Sequence, residues 1–288
     1  MEGSETLSLV ALTLSDVAGG LLLSTGAGWN QTAADWAFFI GQGQAIGFRN
    51  ASGVLVATAA ALVYGGGFGW VSMVLVAPDW RHRGLASRLV DACVQRLRAF
   101  GVTPVLDATP AGQPVYRQLG FQPGFEFERW EGAVAANIDA SHPPTDVTSL
   151  PLRSAGPADL DAIVSLDRSA GGAGRRALLE NFLGRAGTSA WMTQDGSGFA
   201  IIRDGQRAAQ FGPLVEADPA GALALLGAAL RSRAGALFLD VPTRWRELAT
   251  TLEARGFVRQ RPFARMALGG KEFACGDRQF ALAGPEFG

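Results

Sequence analysis

The stretch 51–78 contains no charged side chain, and this constrains the fold more than any other feature of the sequence. A helix that spans a bilayer needs about 20 apolar residues, so the stretch is long enough to cross a membrane. However, three consecutive glycines, 65–67, interrupt it, and its two sides, 54–64 and 70–76, are rich in Val and of strand length. We therefore expect two buried strands joined by a glycine turn, in a protein that does not enter a membrane.

Composition places the chain among globular proteins of two domains. It has 288 residues, of which 48% are hydrophobic, and a domain usually has about 100–200 residues. The net charge of −1 excludes the broad basic surface that nucleic acid requires, although every basic residue except Lys271 is Arg. The two cysteines, Cys93 and Cys275, do not form a disulfide framework and are typical of a reducing, cytoplasmic compartment.

The chain reads as two similar halves separated by a break at residues 132–150, which contains Pro143 and Pro144. Each half predicts two helices, an antiparallel run of strands, a longer helix, a strand, a short helix and a closing strand. This order indicates an α+β fold with a mixed sheet, present in two tandem copies. Local echoes support a duplication, since Leu106-Asp107 resembles Leu239-Asp240. We predict a catalytic domain over 1–140, a linker over 141–150 and a second domain over 151–288 whose tail packs against the protein.

One segment of the first half carries a pattern suited to anion binding. A Val-rich strand ends before Pro78, a basic turn follows, and an amphipathic helix begins at Gly84. Backbone N–H groups at a helix start have no partner within the helix and lie at the positive end of its dipole. The turn therefore predicts a cradle for a pyrophosphate, and the remaining alternative is a basic turn that only caps a structural helix. The residues concerned are Arg81, His82, Arg83, Gly84, Leu85, Ala86 and Ser87.

The run Arg81-His82-Arg83-Gly84-Leu85-Ala86 resembles the Gln/Arg-x-x-Gly-x-Gly/Ala signature of the GCN5-related N-acetyltransferases (GNAT). The resemblance implies acetyl-CoA as a co-substrate, no metal, and a pyrophosphate held by the backbone of residues 82–87. It also implies that Val74, Leu75 and Val76 pair with the pantetheine arm, and that an amide there polarises the thioester carbonyl.

A second segment, 107–121, is similar to the end of the GNAT domain, where a Tyr on a short helix precedes Leu-Gly-Phe. By this match Tyr116 is the general acid that protonates the leaving thiolate, and Thr109 contacts the CoA arm. The alternative for Tyr116 is simple packing beneath the sheet. Asp107 is the nearest candidate for the general base; it equally suits a helix or turn cap, and a chain of water molecules can replace a side-chain base.

The loop after the first helix resembles that of a subgroup of tandem acetyltransferases, in which it borders the acceptor pocket. Trp29 and Asn30 are therefore expected on the substrate side, and Trp70 is a further candidate. The alternatives are a helix cap at Asn30 and core positions for the tryptophans.

The second half lacks the cradle, because Glu216 and Asp218 precede its long helix and would repel a pyrophosphate. It resembles a degenerate GNAT domain. The resemblance as a whole implies direct acetyl transfer, within a ternary complex, from acetyl-CoA to a primary amine of a small molecule or peptide, and we expect a monomer or homodimer. Two alternatives stay open, namely an acyl-CoA-binding sensor or scaffold without turnover, and transfer of a longer acyl group.

Overall fold

The computed structural model describes residues 6–134, 150–269 and 276–288. Each half contains the predicted elements in their order, with an additional short strand at the start of each half and another at the end of the second. The elements of the first half are β1 Ser8–Ala11, α1 Val17–Gly26, α2 Ala33–Gly41, β2 Gln44–Arg49, β3 Leu55–Val63, β4 Phe68–Val76, α3 Leu85–Ala99, β5 Thr103–Ala108, α4 Gln113–Gln118 and β6 Phe121–Val134. Those of the second half are β7 Leu152–Ala155, α5 Leu160–Gly171, α6 Arg176–Leu183, β8 Ser189–Thr193, β9 Phe199–Arg203, β10 Ala209–Val215, α7 Pro219–Ser232, β11 Gly235–Pro242, α8 Arg246–Ala254, β12 Val258–Leu268 and β13 Gln279–Ala281.

The uncharged stretch 51–78 forms β3 and β4, which pair antiparallel as predicted. Every residue of β3 except Val63 is buried, because α3 packs on one face of the strand and α1 and α2 pack on the other. No helix in the described part of the chain is both long and apolar enough to span a membrane.

The helix after the basic turn is held by the apolar stripe that its sequence predicts. Leu85, Leu89, Cys93 and Leu97 of α3 are buried against the sheet in one hydrophobic cluster. After the helix ends, Gly101 has a φ of 71°, a conformation that favours glycine. This packing fixes the start of α3 at the end of β4.

The two halves share one continuous sheet, and they exchange their last strands. The strand order is β1-β2-β3-β4-β5-β12-β6-β11-β10-β9-β8-β7, with β13 paired to β10. Thus β12 of the second half lies beside β5 of the first, while β6 of the first half lies beside β11 of the second. Each copy of the fold is therefore completed by the other.

The segment 276–288 packs between the halves, as predicted for the tail. Phe287 stacks on Phe39 of α2 with ring centroids 4.9 Å apart and meets the Phe182 ring of α6 edge-on at 5.2 Å. The predicted linker 141–150 lies almost wholly outside the described residues, so the domain boundaries stay a prediction.

Candidate active site

The first half has an opening in its sheet between β4 and β5. Among described residues, these parallel strands pair over Phe68–Trp70 and Thr103–Val105, and the pairing stops there. On its other edge β4 carries a bulge against β3, because the register jumps from Thr58–Leu75 to Ala60–Ser72. Met73, within this bulge, has a φ of 53°. The bulge bends β4 away from β5, so backbone groups of residues 71–76 are left facing a gap.

A cavity of about 300 Å³ occupies this gap. Its walls come from both halves: the first half contributes β4, β5, α4, β6 and the loop before α2, and the second half contributes β12 and the segment after β13. The residues that line it include Trp29, Gln31, Ser72, Val74, Asp107, Thr109, Tyr116, Arg129, Arg261 and Glu286. Strand β12 and the segment after β13 therefore place second-half side chains in a first-half site.

The basic turn adopts a conformation that leaves amides available at the start of α3. Gly84, the residue before α3, has a φ of 73°, and a Cβ at this position would have open space around it, with no neighbouring atom within 4 Å. No described side chain caps the helix, so the first N–H groups, those of Leu85, Ala86 and Ser87, have no capping acceptor. His82 also has a positive φ, 62°, which bends the turn sharply.

The side chains of the turn are exposed and lie over it. Arg81 donates to the Val76 carbonyl at 3.3 Å, and Arg83 donates to the Asp79 carbonyl at 3.0 Å while its guanidinium lies 4.6 Å from the Trp80 ring centre. Leu85 is buried, so its contribution to a ligand site is its backbone. The turn thus combines helix-start amides with nearby guanidinium groups, and its binding of an anion stays a prediction.

Tyr116 of α4 lines the cavity, and it is half-buried beside Phe121, with ring centroids 6.2 Å apart. Burial raises the pKa of the Tyr116 phenol to about 12, so the hydroxyl stays protonated throughout the neutral range. Thr109 also lines the cavity, and its hydroxyl accepts a hydrogen bond at 3.3 Å from the Gly112 N–H in the turn before α4.

Asp107 lies at the cavity wall, but both of its oxygens accept hydrogen bonds from Arg265 of β12, each at 2.8 Å. Burial raises the pKa of the Asp107 carboxyl, against the opposing effect of the guanidinium. Asp240 makes the same two-pronged pair with Arg129 of β6, at 2.9 and 2.7 Å. The pair thus occurs at both exchanged strands, which indicates a role in joining them; the base role of Asp107 stays a prediction.

Of the three predicted substrate-side residues, Trp29 lines the cavity and the other two do not. Asn30 is buried and joins the halves: its amide donates to the Ala208 carbonyl at 3.0 Å, and its oxygen accepts from the N–H groups of Arg207 and Ala208 at 2.9 and 3.1 Å. Trp70 is a core residue, 1% exposed, with the Arg265 guanidinium 4.7 Å from its ring centre. Sequence reasoning assigned Asn30 and Trp70 to the substrate, whereas the structure assigns them to the interior.

The cavity residues that were not predicted include five with polar side chains, namely Gln31, Ser72, Arg129, Arg261 and Glu286. In three of them a buried polar atom lacks a hydrogen-bond partner among the described residues, namely Gln31 Oε1, Ser72 Oγ and Arg261 Nε. Such atoms are rare in folded proteins, because an unpaired buried polar group costs free energy. Three such atoms line this one cavity, which makes it a candidate site for a polar ligand. Gln31 lies beside the motif that singled out Trp29, but nothing in the sequence links Arg261 or Glu286 to this site.

The corresponding opening in the second half is filled by the protein itself. β10 and β11 pair in parallel over Ala209–Phe211 and Leu237–Leu239, and beyond that point β13 pairs with β10. At the start of α7, the Asp218 side chain accepts from the Gly221 N–H at 3.0 Å, and Glu216 accepts from the N–H of the residue that follows it. The absence of a cradle, predicted from the two acidic residues, is matched by a capped helix and a filled gap.

The thiol of Cys93 is not placed for nucleophilic chemistry, because it is buried on the inner face of α3 and burial raises its pKa to about 12. Cys275 lies outside the described residues. Within the described ranges, no group of three or more His, Cys, Asp or Glu side chains is arranged to hold a metal ion.

Comparison with known proteins assigns both halves to one family. Residues 25–121 match the model described as "Acetyltransferase (GNAT) family", and residues 163–280 match that of the "Acetyltransferase (GNAT) domain". An uncharacterized N-acetyltransferase of Bacillus subtilis, YitH, is 23% identical over 253 residues, which are 86% of this chain and 87% of YitH.

Solved structures share the fold over the whole chain. A putative acetyltransferase from Pyrococcus horikoshii superposes with a TM-score of 0.82 at 17% identity, covering 100% of this chain and 99% of that one. A tandem GNAT protein from the clavulanic acid biosynthesis pathway, solved without AcCoA, has a TM-score of 0.63 at 16% identity, with 91% and 98% coverage.

Proposed function

The chain is a tandem acyltransferase of the GCN5-related N-acetyltransferase family, and we propose that its first half transfers an acetyl group from acetyl-CoA to a primary amine. The observation that carries the proposal is the coincidence of two features: the gap between β4 and β5, and the uncapped start of α3 beside it. In the second half both positions are closed by the protein's own groups.

The residues present fit acetyl-CoA. The N–H groups of residues 85–87, with Arg81, His82 and Arg83 around them, would hold the pyrophosphate, and Gly84 leaves room for its approach. Backbone groups of Val74, Leu75 and Val76 would pair with the pantetheine arm in the gap, with Thr109 across it. The co-substrate supplies an activated thioester, whose C–S bond breaks as the amine nitrogen bonds to the acetyl carbon.

Two side chains of the cavity suit the proton transfers. Tyr116, protonated at neutral pH, would donate a proton to the departing thiolate. We propose Glu286 rather than Asp107 as the group that takes the amine proton, because both oxygens of Asp107 are engaged by Arg265. Burial raises the pKa of the Glu286 carboxyl, which makes it a stronger base than an exposed glutamate.

Calorimetric titration with acetyl-CoA tests the cradle. Gly84→Asp places a carboxylate on a left-handed residue at the proposed pyrophosphate site, and we expect the affinity to fall at least about 100-fold. Gly196→Asp is the matched control, since Gly196 also has a positive φ, 74°, with no neighbouring atom within 4 Å, and it lies between β8 and β9, near the opposite edge of the sheet. Equal affinities of the two variants would overturn the assignment of the cradle.

A second measurement separates catalysis from binding alone. The protein is incubated with acetyl-CoA and a panel of primary amines, and release of free CoA is followed with a thiol reagent. Acetylated amine in the products supports the proposed transfer. Tight binding of acetyl-CoA with no product from any amine would instead favour the binding-only alternative.

A further inference from the structure

The polar groups of the cavity describe the acceptor more narrowly than the proposed function does. Building on that function, we propose that the acceptor is a small molecule with one carboxylate in addition to its amine, the carboxylate binding Arg261 and the amine binding Gln31 and Glu286.

Arg261 of β12 is a cation in the cavity wall. Among the described residues no carboxylate lies within ion-pair distance of its guanidinium, which packs 5.0 Å from the Phe263 ring centre, and its Nε is buried without an acceptor. The neighbouring guanidinium, that of Arg129, is already paired with Asp240 at 2.7 Å. A planar guanidinium binds a carboxylate through two parallel hydrogen bonds, so a ligand carboxylate would satisfy Arg261.

The groups suited to an amine lie on other elements of the same cavity. Gln31, before α2, is 4% exposed, and its Oε1 has no donor among the described residues. Glu286 is 8% exposed, and its nearest cation, Arg203, lies 3.5 Å away, whereas the buried pairs of Asp107 and Asp240 close at 2.8 and 2.7 Å. Both groups accept hydrogen bonds, which an ammonium donates.

The charges of the cavity favour a single carboxylate over other anions. Asp107 and Arg129 are neutralised by Arg265 and Asp240, which leaves Arg261 without a partner in the described chain and Glu286 with a long contact. One cation and one loosely paired anion complement a molecule that carries one charge of each sign. A phosphate dianion would leave a negative charge uncompensated, and a diamine would leave Arg261 unpaired and add repulsion. The volume of about 300 Å³ accommodates a small molecule of this kind.

The test uses matched amines that differ in the carboxylate alone. Each ω-amino acid of two to six carbons is compared with the n-alkylamine that has the same chain but lacks the carboxylate. Aminoethyl phosphate and 1,4-diaminobutane are tested in the same way. Binding is measured by calorimetry without acetyl-CoA, and turnover by release of CoA. We expect at least one amino acid to bind, and to react with a kcat/KM at least about tenfold above that of its alkylamine.

Substitution of the arginine locates the effect. In Arg261→Gln we expect KM for the preferred amino acid to rise about 30-fold with little change in kcat, while KM for the alkylamine stays constant. Arg259→Gln is the control, because Arg259 lies on the same strand but is exposed and outside the cavity. Equal effects of the two substitutions would overturn the proposal.

The comparison within the unmodified protein stands even where Arg261→Gln fails to fold. An alkylamine, phosphate or diamine that binds or reacts as well as the amino acids would overturn the carboxylate assignment while the acetyltransferase function stands. Failure of acetyl-CoA to bind would instead count against the proposed function, because binding of the amino acids is measured without it.

Discussion

The two halves contain the same opening in the same fold, and they treat it in opposite ways. Between β4 and β5 the gap is a cavity, whereas between β10 and β11 it is filled by β13. The filling is close: Gly212 lies so near the Leu282 carbonyl that a Cβ there would stand 1.9 Å from the oxygen. A sheet that splits in this way must be completed either by a ligand or by the chain itself, because unpaired strand edges cannot stay buried.

The comparison also separates shared architecture from chemistry within this one chain. The Asp–Arg pair is made in both halves, by Asp107 with Arg265 and by Asp240 with Arg129. By contrast, Tyr116 lies five residues before Phe121, and the residue five before Phe257 is Leu252, which is buried. What recurs in the filled half serves the fold, and what occurs in the open half alone is the better candidate for function.

The largest effect that we predict concerns the phenol of Tyr116, which has no counterpart in the second half. Tyr116→Phe should lower kcat by about 100- to 1,000-fold, because the phenol that protonates the thiolate is lost, with acetyl-CoA affinity nearly unchanged. Tyr64→Phe is the control, since Tyr64 is a core residue outside the cavity. The measurement is steady-state CoA release with an accepted amine. An unchanged kcat in Tyr116→Phe would remove the acid role.

The next prediction concerns pH. Glu286 accepts a proton only when ionised, and burial raises its pKa, so kcat/KM should fall with decreasing pH at a midpoint above the usual range of a glutamate. Glu286→Gln should abolish this acidic limb and lower the rate about 100-fold at neutral pH. Rate–pH profiles of both proteins check this. Persistence of the same limb in Glu286→Gln would point to another base, with Asp107 as the first candidate.

The filled opening predicts an effect on stability. Gly212→Ala should lower the free energy of unfolding by about 3 kcal/mol, because its methyl group would collide with the Leu282 carbonyl and force β13 away from β10. Gly196→Ala, at a positive φ of 74° with no atom near, should cost about 1 kcal/mol from backbone strain alone. Urea unfolding of both variants measures the difference. Similar losses would show that β13 yields without cost.

The smallest effect concerns the start of α7. Asp218→Ala removes the carboxylate that accepts from the Gly221 N–H, and should cost about 1 kcal/mol of stability. It should not create a second acetyl-CoA site, because β13 still occupies the gap beside the helix. Calorimetric stoichiometry should stay at one acetyl-CoA per chain. A stoichiometry of two would mean that the Asp218 cap alone prevents the second half from binding acetyl-CoA.

Local signals in the sequence were sufficient for the elements and for part of the site. The apolar stripe of α3 and the Val-rich runs of β3 and β4 are stable only when buried in the core, so the sequence predicts their position. Gly84 lies directly before α3, where backbone N–H groups without partners are expected. The short strands β1 and β13 were not predicted, because three or four residues carry too little periodicity.

The remainder of the site depends on contacts between distant parts of the chain. β6 and β12 have similar sequence patterns, and each carries an Arg that pairs with the Asp of a neighbouring strand. The sequence of either strand alone therefore does not indicate which half of the sheet it joins. Arg261 and Glu286 reach the cavity only through that exchange and through the path of segment 276–288. The sequence predicts Asn30 as a substrate residue because it lies beside Trp29, and only the three-dimensional structure shows that its side chain bonds to Ala208 of the second half.

The exchange of closing strands has a consequence for how such a molecule can diverge. Two identical chains that traded strands in the same way would be related by a twofold axis, and every substitution would alter both openings at once. When both copies lie in one chain, their sequences are independent, and a substitution can alter the opening of one half without altering that of the other. The second half can then lose its own ligand site while its strand β12 still contributes Arg261 to the cavity of the first half.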